Sequence, residues 1–162
     1  MDINQERLTV LMADDDEDEY FLLEEGLKEC HFACHLRRVP DGKELMDYLL
    51  RQGEYNDPEE SPRPSFILLD LNLPGKDGRN LLIEIKSIPE LKHIPVIIYT
   101  SSRDEEDIWQ CYASGANSFI SKPVGWDQLI NTIMNLFFYW TRTVRLPMVE
   151  FMTCQKKQIG NY

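Results

Sequence analysis

Two neighbouring carboxylates follow a short apolar segment near the start of the chain. Residues 8–13 read LTVLMA, and Asp14 and Asp15 come directly after them. A short continuous apolar run is typical of a strand that is buried on both faces of a parallel sheet. Because open α/β sheets bind ligands at the carboxyl ends of their strands, the pair lies where a ligand would bind. Hard cations prefer oxygen ligands, so the pair indicates a Mg²⁺ site.

The two carboxylates also begin a longer acidic run, which continues to Glu19. Charge runs are common on solvated surfaces, and the helix dipole favours acidic residues at the amino ends of helices. The run therefore has two open interpretations, a metal site and a solvated helix start. The choice depends on which other residues meet Asp14 and Asp15.

Three more residues that could do chemistry end other apolar segments. Asp70 ends FILLD, Thr100 ends VIIYT, and Lys122 follows SFIS. Taken singly, such residues more often cap a helix or face solvent. Together they are harder to explain in that way, because right-handed crossovers bring the carboxyl ends of all parallel strands to one edge of the sheet. We therefore expect one cleft to contain all of these groups.

A cleft with three carboxylates, an ammonium group and a hydroxyl suits phosphoryl transfer. Asp15 and Asp70 would hold Mg²⁺ directly, and Asp14 would hold it through water. Lys122 would contact one phosphoryl oxygen, and Thr100 would donate a hydrogen bond to another. Asp70 is the predicted nucleophile, because it is central and a carboxylate can form an acyl phosphate.

The segments between these residues alternate between strand and helix patterns, which is typical of a parallel sheet wrapped by crossover helices. Predicted strands cover residues 8–13, 34–39, 66–70, 96–100 and 118–121. Predicted helices cover residues 19–30, 79–87, 104–114 and 126–140, and one more opens at a capping box from Asp41 to Glu44 and ends near Gly53. Residues 53–64 are rich in proline and charge and are predicted as a surface loop.

Composition limits the classes of function. The chain has 162 residues, enough for one domain with a small appendage, and a formal net charge of −11. Nucleic-acid backbones need a basic footprint, so direct nucleic-acid binding is not expected. No apolar run is long enough to span a membrane. The four cysteines form no CxxC pair and no signal peptide is recognisable, so we expect a cytoplasmic protein with reduced thiols.

Four motifs, in this order, make the chain resemble the receiver domain of two-component response regulators. They are ADD at 13–15, LLDLNLPGKDG at 68–78, YTS at 99–101 and GANSFISKP at 115–123. The resemblance covers residues 7–140. It implies a flavodoxin-like (CheY-like), doubly wound α/β fold with a five-stranded parallel sheet of order 2-1-3-4-5 and helices on both faces.

The resemblance also implies roles for individual residues. Asp70 is the residue phosphorylated from the phosphohistidine of a sensor histidine kinase, and the backbone carbonyl of Asn72 is a further Mg²⁺ ligand. Thr100 and Phe119 are the switch pair, in which the hydroxyl moves to the phosphoryl group while the ring turns inward. The Lys122–Pro123 peptide is expected to be cis. Such a receiver is a signalling protein that assists its own Mg²⁺-dependent phosphorylation and dephosphorylation, and not a dedicated enzyme.

A narrower resemblance is to the small response regulators that serve bacterial phytochromes, the cyanobacterial kind included. It rests on the long loop before the third strand, the DLNLPGKDG form of the phosphorylation loop, and YWTRTVRLP at 139–147. It implies a sensor kinase of the phytochrome type as partner. Residues 141–162 are expected to be a C-terminal extension without a separate output domain, so that the signal leaves through contact with another protein.

Two other functions compete with this interpretation. A phosphatase of the haloacid dehalogenase type also uses an aspartate nucleophile with Mg²⁺, but its motif is Asp-x-Asp, and here Asn72 stands two residues after Asp70. A receiver-like scaffold that binds its partner without phosphorylation usually lacks one of the key residues, whereas this chain has them all. The scaffold is the alternative that stays open.

The fifth predicted helix carries apolar residues on two faces. The stripe expected to face the sheet contains Leu129, Ile130, Ile133, Leu136, Phe137 and Trp140. Phe138 lies on nearly the opposite side, with Met134 and Tyr139 beside it, and has no sheet to cover it. Receivers of this kind often pair through their fourth and fifth helices. A homodimer with these three residues at its interface is therefore predicted.

Overall fold

The computed structural model describes residues 8–147, which form one parallel sheet with helices on both faces. The strands are β1 (Leu8–Ala13), β2 (Cys34–Val39), β3 (Phe66–Leu69), β4 (Val96–Thr100) and β5 (Ser118–Ser121). The helices are α1 (Glu17–Glu29), α2 (Gly42–Leu50), α3 (Gly78–Ser87), α4 (Glu105–Ala113) and α5 (Trp126–Phe138). All neighbouring strands are parallel and the sheet order is β2-β1-β3-β4-β5, which confirms the predicted fold class.

The three central strands hold the core because both of their faces are covered. Alternate side chains of a strand point to opposite faces, so β1 places Leu11 in one cluster and Val10 and Met12 in the other. Helices α2, α3 and α4 cover the first face, and α1 and α5 cover the second. Five of the six residues in the predicted stripe of α5 are buried: Leu129, Ile133, Leu136, Phe137 and Trp140.

Aspartates cap four of the five helices, and this explains part of the acidic run. Asp16, Asp41, Asp77 and Asp104 each accept a hydrogen bond from a backbone N–H in the first turn of the helix that follows. The capping box at Asp41 is only half formed, because the Glu44 carboxylate accepts from the Tyr55 hydroxyl at 2.6 Å. Helix α2 ends before Gly53, since Arg51 takes the left-handed conformation with φ 56°.

Two features in the last third of the described chain, one after β5 and one at the end of α5, differ from the prediction. The predicted cis peptide at Lys122–Pro123 is wrong, because residues 8–147 contain no cis peptide bond. The trans isomer is the intrinsically preferred one, by about 0.5–1 kcal/mol for a bond to proline. Helix α5 ends at Phe138 and a π-helical turn, Tyr139–Thr143, follows it.

The start of the predicted C-terminal extension belongs to the same core. Val144 and Leu146 pack against the cluster under α1 and α5. Residues 148–162, the rest of that predicted extension, lie outside the described part of the chain. None of the helices within 8–147 has the length and apolarity needed to cross a bilayer.

Candidate functional site

The predicted reactive groups lie together at the carboxyl edge of the sheet. Asp14 and Asp70 follow β1 and β3, which are hydrogen-bonded neighbours. Oxygens of Asp14, Asp15 and Asp70 lie within 4.8 Å of one another. Asp14 and Asp70 are buried, whereas Asp15 is exposed. The parallel topology therefore produces the acidic cleft that the strand ends predicted.

Lys122 reaches this cleft from the end of β5. Its Nζ donates to Asp14 Oδ2 at 2.7 Å and to Asp70 Oδ2 at 3.1 Å, and its side chain is only 11 % exposed. Burial lowers the pKa of Lys122, but the hydrogen bond and charge of Asp14, together with Asp70, outweigh burial and raise it. The ammonium group therefore stays charged and compensates both buried carboxylates.

Backbone N–H groups hold the second oxygen of each buried carboxylate. Asp14 Oδ1 accepts from the Asp16 N–H at 2.9 Å, and Asp70 Oδ1 accepts from the Asn72 N–H at 3.1 Å. Burial raises the pKa of Asp14 and outweighs the opposing hydrogen bonds from Lys122 and Asp16. Three clustered carboxylates face one lysine, so the site carries a surplus of formal negative charge, which favours a further cation.

The donor set fits a hard divalent cation. Three carboxylates converge, two of them oriented by fixed hydrogen bonds and one open to solvent on Asp15. Oxygen-only ligands are what Mg²⁺ and Mn²⁺ prefer, and the exposed side leaves room for water ligands. Asn72 lies beside Asp70 with its N–H already used, and the ligand role of its carbonyl stays a prediction.

The two residues of the predicted switch pair lie on the neighbouring strands β4 and β5, in different environments. Thr100 is fully buried at the end of β4, and its hydroxyl oxygen accepts a long hydrogen bond of 3.4 Å from the Ser102 N–H. Phe119 is partly buried against the core cluster of α2, α3 and α4. Its N–H donates to the Tyr112 hydroxyl at 3.2 Å. The movement of this pair stays a prediction.

Gly78 is a site residue whose role the sequence interpretation did not identify. A Cβ atom there would lie 2.3 Å from the Asp70 carbonyl oxygen and 2.7 Å from the Leu71 Cα, both of them backbone atoms. Its N–H donates to the Leu71 carbonyl at 3.0 Å. The close approach of α3 to the loop after β3 therefore needs glycine. The Asp77-Gly78 pair at the end of the loop was the feature of the sequence that could have indicated this contact.

The three residues predicted for a dimer interface are exposed. Met134 and Phe138 of α5 are 44 % and 54 % exposed, and Tyr139, which begins the π-helical turn after α5, is 48 % exposed. They lie outside the cleft and contribute nothing to its chemistry. Their place at an interface stays a prediction.

The chain is similar in sequence to known proteins. Residues 10–134 match the family model of the response regulator receiver domain. Response regulator Rcp1 of Synechocystis sp. is 40 % identical over 138 residues, which is 85 % of this chain and 92 % of Rcp1.

Solved structures agree. The phosphorylated cyanobacterial phytochrome response regulator RcpA is 37 % identical with a TM-score of 0.81, over 88 % of this chain and 99 % of RcpA. The Mn²⁺-bound form of Rcp1 is 39 % identical with a TM-score of 0.78, over 87 % of this chain and 99 % of that one. The chain therefore belongs to the response regulator receiver domain family, whose members are signalling proteins of two-component systems.

Proposed function

We propose that Asp70 accepts a phosphoryl group from the phosphohistidine of a sensor histidine kinase. The observation that carries this proposal is the shared contact of the Lys122 ammonium group with Asp14 and Asp70, at 2.7 and 3.1 Å. This contact places a fixed positive charge beside the Asp70 carboxylate, where it would attract the phosphoryl oxygens. Of the three clustered carboxylates, Asp70 is the one that follows β3, the middle strand of the five, whereas Asp14 and Asp15 follow β1.

The residues present divide the work of the transfer. An Asp70 oxygen forms a bond to phosphorus while the P–N bond of the phosphohistidine breaks, and the ring nitrogen keeps the electron pair. Lys122 offsets the negative charge on one phosphoryl oxygen, and the Thr100 hydroxyl donates a hydrogen bond to another. When bound, Mg²⁺ supplies two positive charges, which offset the negative charges of the phosphoryl oxygens.

Four groups in this proposal would hold Mg²⁺. They are the carboxylates of Asp14, Asp15 and Asp70 and the backbone carbonyl of Asn72. The 4.8 Å cluster and the Mn²⁺-bound structure of Rcp1 support a divalent cation here. Mg²⁺ itself is part of the proposal, because the same oxygen donors suit both ions.

The proposed kinase is of the phytochrome type, acting in the cytoplasm. RcpA is described as a cyanobacterial phytochrome response regulator, and another similar structure is that of the bacteriophytochrome response regulator AtBRR. Cys30, Cys34 and Cys111, three of the chain's cysteines, are free thiols in the structure, which supports a reducing compartment.

Signalling in this proposal proceeds through contact between proteins, including a second copy of the chain. The exposed apolar side chains of Met134, Phe138 and Tyr139 support a symmetric homodimer. In this proposal the receiver occupies residues 7–140.

The experiment is intact-mass measurement after incubation with acetyl phosphate and Mg²⁺. The wild type should gain one phosphoryl group and Asp70→Asn should gain none, because the nucleophilic carboxylate is removed. Asp57→Asn is the matched control, since Asp57 is exposed in the loop before β3 and is not one of the clustered carboxylates. Phosphorylation of another residue in the wild type would contradict the assignment. A wild type that gains no mass would favour the phosphorylation-independent scaffold.

A further inference from the structure

Ser102 lies in the loop between β4 and α4, and each of its polar atoms has a partner. Its N–H donates to Thr100 Oγ1 at 3.4 Å, and its carbonyl accepts from the Ser121 hydroxyl at 3.1 Å. Its hydroxyl donates to Asp107 Oδ2 at 2.6 Å and accepts from the Asp104 N–H at 3.3 Å. A single serine therefore joins the Thr100 side chain, the first turn of α4 and the residue before Lys122.

Asp107 is held on its other side by Arg79. Arg79 Nε and Nη2 donate to Asp107 Oδ1 at 2.8 and 2.6 Å. The same guanidinium group donates through Nη1 to Asp77, the residue that caps α3. The Asp107 side chain is 15 % exposed and the Arg79 side chain 29 % exposed, so solvent screens this ion pair less than it screens most surface pairs.

Arg79 is anchored to the loop that carries Asp70. It follows Gly78, whose N–H donates to Leu71 and whose missing Cβ lets α3 touch the Asp70 carbonyl. Contacts therefore run without a break from the Asp70 loop through Arg79, Asp107 and Ser102 to the hydroxyl of Thr100.

We propose that Arg79, Asp107 and Ser102 form a clamp that holds Thr100 in its resting position and so opposes the phosphorylated state. This inference rests on the proposed function, since it concerns the response of Thr100 to a phosphoryl group on Asp70. The three are positioning residues, because they act on the phosphoryl group through Thr100.

The direction follows from the geometry around Thr100. No hydrogen bond joins its hydroxyl to Asp70 among the described residues, and its oxygen is turned towards the Ser102 N–H. To reach a phosphoryl oxygen, Thr100 must either give up that N–H or take Ser102 with it. Moving Ser102 would break its 2.6 Å hydrogen bond to Asp107, whose position Arg79 fixes. Releasing Ser102 should therefore make the phosphorylated state easier to reach.

The test is the affinity for beryllofluoride, an analogue of the phosphoryl group, measured by calorimetry on the full chain at saturating Mg²⁺. Ser102→Ala removes the hydroxyl that reaches Asp107, and Asp107→Asn removes the charge that holds Arg79. Each variant should bind beryllofluoride about three- to tenfold more tightly than wild type, the effect of roughly one net hydrogen bond. The double variant should gain no more than the single ones, because both changes interrupt one series of contacts.

Two control variants separate the clamp from general effects. Ser102→Thr keeps the hydroxyl and should bind as wild type does. Glu106→Gln removes the same charge from the same turn of α4, but Glu106 bonds to Gln110 and not to Ser102, so it should also bind as wild type does. Because Ser102→Ala leaves the Arg79–Asp107 ion pair intact, its result does not depend on the stability of Asp107→Asn.

The outcomes distinguish the two proposals. If wild type binds beryllofluoride with Mg²⁺ but Ser102→Ala and Asp107→Asn bind it equally or more weakly, the clamp is wrong and the proposed function stands. An equal gain in Glu106→Gln would also overturn the clamp. If wild type itself does not bind beryllofluoride, the proposed phosphorylation fails and the clamp fails with it.

Discussion

Lys122 compensates two carboxylates that burial would otherwise make expensive. Desolvation of an ion costs several kcal/mol, on the order of 3–5 kcal/mol when one partner of a buried pair is missing. One ammonium group is divided between Asp14 and Asp70, and backbone N–H groups satisfy the remaining oxygens. The arrangement holds a surplus of negative charge in a fixed shape. This surplus negative charge would attract a divalent cation, either alone or together with a transferred phosphoryl group.

Asp15 is the carboxylate whose effect on metal binding can be tested without disturbing this buried pair. Divalent cation stabilises the fold by mass action, so Mg²⁺ should raise the melting temperature of the wild type. Asp15→Asn should remove much of that rise, because a ligand is lost. Without metal, the variant should melt at least as high as wild type, since like charges at Asp14 and Asp15 repel each other.

The control for this prediction is Asp16→Asn. It removes the same charge one residue later, and asparagine keeps the capping hydrogen bond of α1. Thermal melts over a Mg²⁺ titration compare the three proteins. A melting shift in Asp15→Asn as large as that of the wild type would contradict direct ligation.

Asp107 should contribute stability that depends on pH. Hydrogen bonds from Arg79 and Ser102 lower the pKa of its carboxyl group below the usual value. A lowered folded pKa stabilises the protein above the unfolded pKa of about 4, and that stability is lost as pH falls through the folded value. Asp107→Asn should therefore cost about 1 kcal/mol of unfolding free energy at neutral pH and less in acid. Urea denaturation of wild type and Asp107→Asn at neutral and at acidic pH measures the loss of unfolding free energy. A loss that does not change with pH would refute the prediction.

Strand-end residues were predictable from the sequence, but the clamp residues were not. Asp14, Asp70, Thr100 and Lys122 each end an apolar run, and one topological rule brings such ends together. Arg79, Asp107 and Ser102 come from a helix start, another helix and a loop, and no period or spacing connects them. Their contact depends on how closely α3 and α4 pack, which is set by tertiary structure.

At the scale of elements, apolar runs defined strands better than periodicity defined helix ends. Strands β1, β2, β4 and β5 have the predicted bounds, and β3 is one residue shorter. Helices α1, α3 and α4 differ by one or two residues at their ends. At α1 and α4, several adjacent acidic residues could each have been the cap. The π-helical turn after Phe138 was not predictable, since Trp140 continues the apolar stripe of an ordinary helix.

Glycines at two helix contacts should respond differently to alanine. In Gly78→Ala the new Cβ would meet backbone atoms of the Asp70 loop, which cannot move without displacing the site. In Gly26→Ala it would meet the tip of Ile133 at 2.3 Å, and a side-chain tip can rotate away. We expect Gly78→Ala to cost more than about 2 kcal/mol of unfolding free energy. Gly26→Ala should stay within about 1 kcal/mol of wild type, because alanine also favours the helix interior.

Chemical denaturation of both variants measures the difference. The acetyl phosphate reaction should also slow in Gly78→Ala and stay unchanged in Gly26→Ala, because only Gly78 touches the Asp70 backbone. Equal losses of stability in Gly78→Ala and Gly26→Ala would mean that α3 can move away from the Asp70 loop at little cost. That result would contradict the close contact between Gly78 and the Asp70 carbonyl.

At the scale of the whole molecule, helices cover both faces of the sheet. Helices α2, α3 and α4 pack on one face, and α1 and α5 complete the core on the other. Exposed apolar residues remain on both sides, among them Trp109 on α4 and Phe138 on α5. The amphipathic pattern predicted which residues of α5 are exposed. It could not predict what covers them, because that depends on a second molecule.

The proposed homodimer makes a prediction that this exposure can test. Phe138 is 54 % exposed at the end of α5, and a charge there would be buried without a partner if the face forms a symmetric interface. Wild type should sediment as a dimer at micromolar concentration, and Phe138→Asp should sediment as a monomer. Phe21→Asp is the matched control, because Phe21 is 51 % exposed on α1 and is not one of the predicted interface residues, so this variant should leave the dimer intact. A monomeric wild type would contradict the dimer itself. A dimeric Phe138→Asp would remove Phe138 from its interface, and dissociation by both substitutions would point to a contact that includes α1.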